Sequence, residues 1–195
     1  MNVREIDAER ASHPYDVATS PELAATGAGA PIARLKIASA GYARRMQVKE
    51  LGHAVLYVHD IARSSAFYRD VLGWTQISAP DPRFPAAAFS SGRTHHELLL
   101  IEVGAEAQEV PSGRHVGLYH LGIKIGDSDD ELREAVARCK EAGVRMVGLS
   151  DHTVSHSLYV LDPDGNELEL YIDVPGVDWK NNPAAVMAPT RPLAL

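Results

Sequence analysis

Leu51-Gly-His-Ala-Val-Leu-Tyr-Val58 decides the fold: it sets small and apolar residues around His53, is rich in strand formers and runs directly into a helix signal. Asp60 offers an N-cap oxygen to the run Ile61 to Leu72, in which Ile61, Ala62, Ala66, Phe67 and Val71 share a helical face. Gly73 suits the left-handed residue that closes such a helix. Trp74 to Ser78, Ala86 to Ser90 and His96 to Val103 then read as three strands separated by turns that carry Pro and Gly. The unit is βαβββ.

Downstream the order repeats. Leu118 to Ile125 reads as a strand, Asp129 to Ala142 as a helix closed by Gly143, and Val144 to Leu149, Ser157 to Leu161 and Glu167 to Ile172 as three strands. Asp162-Pro-Asp-Gly165 is a strong turn between the last two. His53 and His120 lie 67 residues apart, as do Glu102 and Glu169, so one offset relates both pairs. We expect an α+β protein whose paired βαβββ modules form one incompletely closed eight-stranded barrel. Its parts are an N-terminal arm (1–47), a first module (48–110), a second module (111–175) and a C-terminal tail (176–195). In the arm, periodicity first appears over Arg34 to Met46; a short helix packing on a partner subunit and a loosely ordered extension are both open readings. The tail carries three prolines from Trp179 onward and is expected to run over the surface or across a partner.

Composition narrows the function. The 195 residues are 45% hydrophobic, ordinary for a globular protein, and 26 acidic against 19 basic residues give a formal net charge of -7. That balance opposes phosphate backbones and anionic lipid, so neither nucleic acid nor membrane is an expected partner. No apolar run is long enough to span a bilayer, and Glu5, Asp7 and Glu9 stand where a signal peptide needs a basic, then apolar, start. A cytoplasmic location is expected. The single cysteine, Cys139, shares a helical face with Leu132, Ala135 and Val136 and reads as a buried core thiol.

Strand alternation puts His53, Val55 and Tyr57 on one side, and Glu167, Glu169 and Tyr171 likewise; by the same count His96, Leu98, Leu100 and Glu102 share a face. Taken singly, a strand histidine is ordinarily a packed, hydrogen-bonded residue. Two imidazoles and a carboxylate on separate strands facing one cavity are a different matter, because they leave coordination positions open on a metal, as in non-haem Fe(II) oxygen chemistry. One cysteine excludes a thiolate zinc site, and no oxygen-only calcium loop is present.

Leu51-Gly-His53, Phe67-Tyr-Arg-Asp-Val-Leu-Gly-Trp74, Tyr119-His120-Leu-Gly and Asp162-Pro-Asp-Gly-Asn-Glu-Leu-Glu169-Leu-Tyr171 resemble the vicinal-oxygen-chelate superfamily over about Leu51 to Val174. Within it, Asp151-His152-Thr-Val-Ser-His156-Ser-Leu158-Tyr159 through Pro163, Gly165 and Glu169 is similar to the signature of extradiol ring-cleavage dioxygenases, with Ser150 as one departure. The pair His95-His96 is similar too. This resemblance implies His53, His120 and Glu169 as metal ligands, His96 as the acid/base residue, and His152 and Tyr159 in contact with substrate oxygens. It implies Fe(II), with Mn(II) accepting the same ligands, a catecholic substrate with O2, and a homodimer. Glu102 keeps an alternative open, since glyoxalase I-like members of the superfamily use four ligands for isomerase chemistry. Metal-free binding members are a second alternative, against which His53, His120 and Glu169 stand together. His59, His95, His115 and His156 read as surface or supporting residues, and Arg114 and Lys124 as solvated cations.

Overall fold

The computed structural model of the chain describes residues 46–78, 81 and 83–195. The arm reading, including the segment from Arg34, lies almost wholly outside them. Every element below lies within the compact unit Gly52–Leu195.

The first module runs β1 (Ala54–Val58), α1 (Ile61–Ala66), β2 (Thr75–Gln76), β3 (Ala86–Ser90) and β4 (Leu98–Glu102). Asp60 caps α1 by accepting the Arg63 N–H, and Gly73 adopts φ 78°, as the sequence requires of a C-cap. Between them the helix widens into a π-turn, Phe67–Val71. The second module runs β5 (His120–Gly126), α2 (Asp129–Glu141), β6 (Met146–Asp151), β7 (Ser155–Leu161) and β8 (Glu167–Asp173). Ser128 caps α2, three acidic residues fill its first turn and Arg138 and Lys140 its last, each favourably placed against the helix dipole.

Both sheets have the same topology. Their orders are β1-β4-β3-β2 and β5-β8-β7-β6, with β1 parallel to β4 and β5 parallel to β8, so the duplication read from the sequence is structural. The paired α+β modules are present, but among the described residues their strands lie in two separate sheets rather than one barrel wall. The tail adds a strand, β9 (Arg191–Pro192), antiparallel to β6, after a 3-10 turn over Pro183–Met187.

One apolar cluster serves both modules. Leu56, Val58, Leu98 and Leu100 meet Leu158, Val160, Leu168, Leu170 and Ile172 in it, with Tyr68 and Leu132 fully buried and Cys139 almost so. Burial raises the Cys139 thiol pKa, consistent with an inert core thiol. The modules are also tied by polar contacts at the Asp162-Pro-Asp-Gly turn. Asp164 accepts from Ser64 Oγ (2.6 Å), Arg63 Nη2 (2.7 Å) and the His59 N–H (2.9 Å), while Tyr68 donates to Asp162 (2.9 Å). Both carboxylates are buried, so the turn is an interface as well as a reversal of direction.

This packing fixes which face of each sheet is open. Residues paired in register point the same way, so Leu98, Leu100 and Glu102 follow Leu56 and Val58 onto the helix-covered side, and Val55, Tyr57 and Leu99 take the other. The face that Leu98, Leu100 and Glu102 share is therefore the helix-covered one, which takes Glu102 away from the open face. Val55 and Tyr57 are 46% and 70% exposed, which leaves that face of β1 uncovered.

Candidate functional site

On the open face of the second sheet, register alone places the chemistry. His120 pairs with Glu167 and Gly122 with Glu169 across β5 and β8, while Glu169 pairs with Tyr159 and Tyr171 with Ser157 across β8 and β7. His152 follows the end of β6 in a tight turn.

These side chains are connected. His120 Nε2 lies 3.2 Å from Glu169 Oε2. The other carboxylate oxygen of Glu169 accepts from Ser157 Oγ (2.7 Å) and from the Tyr159 hydroxyl (3.0 Å), and His152 Nε2 stands 2.8 Å from that hydroxyl. Burial pushes Glu169 up, but His120, Ser157 and Tyr159 outweigh it and bring its pKa down to about 2. Burial and the Glu169 charge hold the Tyr159 hydroxyl well above its ordinary range, so it remains a donor. Ser157 escaped the sequence reading. Its signal was its place two residues before Tyr159, on the same strand face.

Two of the three expected metal ligands meet here. Neighbouring ligands about 2.1 Å from one octahedral ion stand roughly 3 Å apart, so the His120–Glu169 spacing suits such a pair. His120 Nδ1 is buried without a partner and faces the equally unpartnered Glu167 Oε1 at 3.8 Å, close to the arrangement by which a carboxylate orients a ligating imidazole. His53 lies elsewhere. Exposed beside β1, it stacks on His96 with ring centroids 4.4 Å apart, and His95 follows at 4.5 Å. Among the described residues, no three His, Cys, Asp or Glu side chains gather closely enough to hold a metal ion. Desolvation, then the neighbouring His53 and His95, lower the pKa of His96 from its ordinary 6.5.

Glu102 is engaged differently. Its carboxylate accepts the Ile61 N–H at 2.9 Å, at the start of α1. Register also shows that the counterpart of Glu169 in the first module is Leu99, not Glu102: Val55 pairs with Leu99 as Gly122 pairs with Glu169. The equal sequence offset of the two glutamates is therefore not a structural equivalence.

The profile of the Glyoxalase/Bleomycin resistance protein/Dioxygenase superfamily matches residues 50–170. The chain belongs to that superfamily. It is 36% identical over 132 residues to a catechol-2,3-dioxygenase of Bacillus subtilis, covering 68% of this chain and 44% of that protein, so it spans less than half of that relative. It is 26% identical to the glutathione transferase FosA of Serratia marcescens, across 64% of this chain and 82% of the other. Among solved structures, a glyoxylase/bleomycin resistance protein/dioxygenase domain from Frankia superposes with a TM-score of 0.55 at 19% identity, over 65% of this chain and 99% of the other. That likeness establishes the fold alone.

Proposed function

We propose that this protein is an extradiol ring-cleavage dioxygenase acting on a catechol-type substrate with O2 at a non-haem Fe(II), or Mn(II), held by His53, His120 and Glu169. The observation that carries this reading is the continuous set His152–Tyr159–Glu169–His120, which joins two metal donors to two groups able to hold protons at a substrate oxygen. Such a metal, when bound, would bring the two ring hydroxyls and O2 together. The chain supplies the rest. Ser157 and Tyr159 donate to Glu169 and hold it ionised, His152 and Tyr159 would meet one hydroxyl oxygen of the substrate, and His96, favoured in its neutral form, takes and returns a proton.

The third ligand comes, on this reading, from a second copy. β1 and β5 are each an outer strand of their sheet; His53 directly precedes β1 and His120 opens β5. A two-fold homodimer would set β1 of one chain by β5 of the other and cover the exposed Val55 and Tyr57, giving two sites that each draw His53 from one copy and His120 with Glu169 from the other. Glu102, off the open face and tied to α1, supports three ligands over the four of an isomerase.

Two experiments test these statements separately. After anaerobic loading with Fe(II), addition of catechol, 3-methylcatechol and 2,3-dihydroxybiphenyl in air should give a yellow product with matching O2 uptake; bound metal without either signal rejects ring cleavage. For the shared site, His53→Ala and Glu169→Ala chains carrying different tags are co-expressed and the mixed dimer isolated. It should retain metal in about half of its sites, because one site then lacks both residues and the other neither. A metal-free mixed dimer, or failure of the two chains to co-purify, rejects the shared site.

A further inference from the structure

The tail closes on the site from outside the matched family region, which ends at residue 170. Thr190 Oγ1 lies 3.1 Å from His152 Nδ1. Around this contact the tail is fastened to the end of β6 and to the turn itself: Pro192 pairs with Ser150 and Arg191 with Asp151, the Leu193 N–H donates to the Leu149 carbonyl (3.4 Å), and Arg191 Nη2 donates to Thr153 Oγ1 (3.2 Å).

The turn needs such fastening. Thr153, directly after His152, has φ 71°, a left-handed conformation that a β-branched residue rarely adopts. Its N–H donates to Asp151 Oδ1 (2.6 Å), and the Arg191 guanidinium stands 3.4 Å from the other oxygen of that carboxylate.

The hydrogen bonds also set the tautomer of His152. The Tyr159 hydroxyl has one hydrogen and gives it to Glu169, so its oxygen can only accept from His152 Nε2–H. In a singly protonated ring, Nδ1 is then a bare acceptor, and the Thr190 hydroxyl is the donor that faces it. A directed chain runs Thr190 to His152 to Tyr159 to Glu169.

We propose that residues 190–193 are a strap, with Thr190 as the positioning residue that fixes the ring orientation and tautomer of His152. The role in turnover rests on the ring-cleavage reading; the role in setting the tautomer does not. The test compares full-length wild type, Thr190→Val and Thr190→Ser, using nitrogen-15 histidine spectra of the metal-free protein above the histidine titration range and steady-state kinetics of the Fe(II)-loaded protein with catechol. The expected result is a single Nε2–H tautomer for His152 in wild type and Thr190→Ser, and a mixture in Thr190→Val. The valine variant should also lose about tenfold in kcat with KM little changed, and serine should restore it. A wild-type tautomer in Thr190→Val, or a mixture that serine fails to correct, overturns the strap. Absence of catechol cleavage by the wild type rejects the ring-cleavage reading and leaves the spectra to decide the strap.

Discussion

Tyr159 lies opposite Glu169 on the neighbouring strand and donates its hydroxyl hydrogen to the carboxylate across 3.0 Å. Because Ser157 and His120 also hold Glu169, loss of this one donor should spare the carboxylate. Tyr159→Phe is therefore expected to keep its metal while turnover falls by roughly tenfold or more. Metal analysis and kcat on one preparation check this, and full turnover would make Tyr159 a packing residue.

His120→Ala and Glu169→Ala should each lose metal and activity together, since the two groups stand at ligand spacing on adjacent strands. Metal content after dialysis is the readout. Stoichiometric iron with full turnover in either variant would remove that residue from the ligand set.

His96→Phe should retain metal and slow turnover by roughly 10², the loss typical of a missing acid/base group. An aromatic replacement keeps a ring beside His53 while removing the imidazole nitrogens, one of which bonds His95 Nδ1 at 2.6 Å. An unchanged rate would assign His96 to packing.

Glu102→Ala removes the carboxylate that accepts the first N–H of α1. Loss of such a cap should cost about 1 kcal/mol in urea unfolding, with metal stoichiometry unchanged. Loss of metal without loss of stability would return Glu102 to the ligands.

His59 and Asp164 predict a pH-dependent stability. Both ring nitrogens of His59 face acceptors, Asp164 Oδ1 at 2.9 Å and the Ala107 carbonyl at 3.1 Å, which suits the charged ring. The bond to Asp164 raises the His59 pKa above its ordinary 6.5, with Ala107 and Glu109 adding to it. Its contribution is therefore full below 6.5 and fades as pH rises through the folded value. Burial pushes Asp164 up, but Ser64, His59 and Arg63 together leave it below its ordinary 3.8, so its contribution is full above 3.8 and fades as pH falls through the folded value. Chemical denaturation should show the stability gap between wild type and His59→Gln widest near about pH 5 and narrower above neutrality. A gap that grows with pH would contradict the charged pair.

No helix among the described residues is long and apolar enough to cross a membrane. Most of the remaining structure was legible locally. The caps Asp60 and Gly73, the helix from Asp129 and the strand at Ala86–Ser90 follow from residues adjacent in sequence, because caps and strand alternation act over a few positions. The module repeat was legible too, since each copy must cover the same apolar sheet face with its helix. His120, Glu169, Tyr159 and His152 were named from the sequence, and the structure brings them together.

What sequence could not supply was everything set by register and by distant chain. Leu99 rather than Glu102 matches Glu169 because the strands of the first module pair with a shift that equal residue offsets do not reveal. Asp162 and Asp164 look like turn residues and prove to be the buried partners of Tyr68, Ser64 and Arg63, roughly 100 positions away. Thr190 meets His152 only because the tail returns to β6. The sequence by itself determined the two modules and the chemistry of their open faces, through local periodicity and side-chain type. Tertiary packing decided which faces stayed uncovered, because the helices and the shared apolar cluster occupy one face of each sheet, while the sheet order leaves β1 and β5 as outer strands, with His53 just before the one and His120 opening the other.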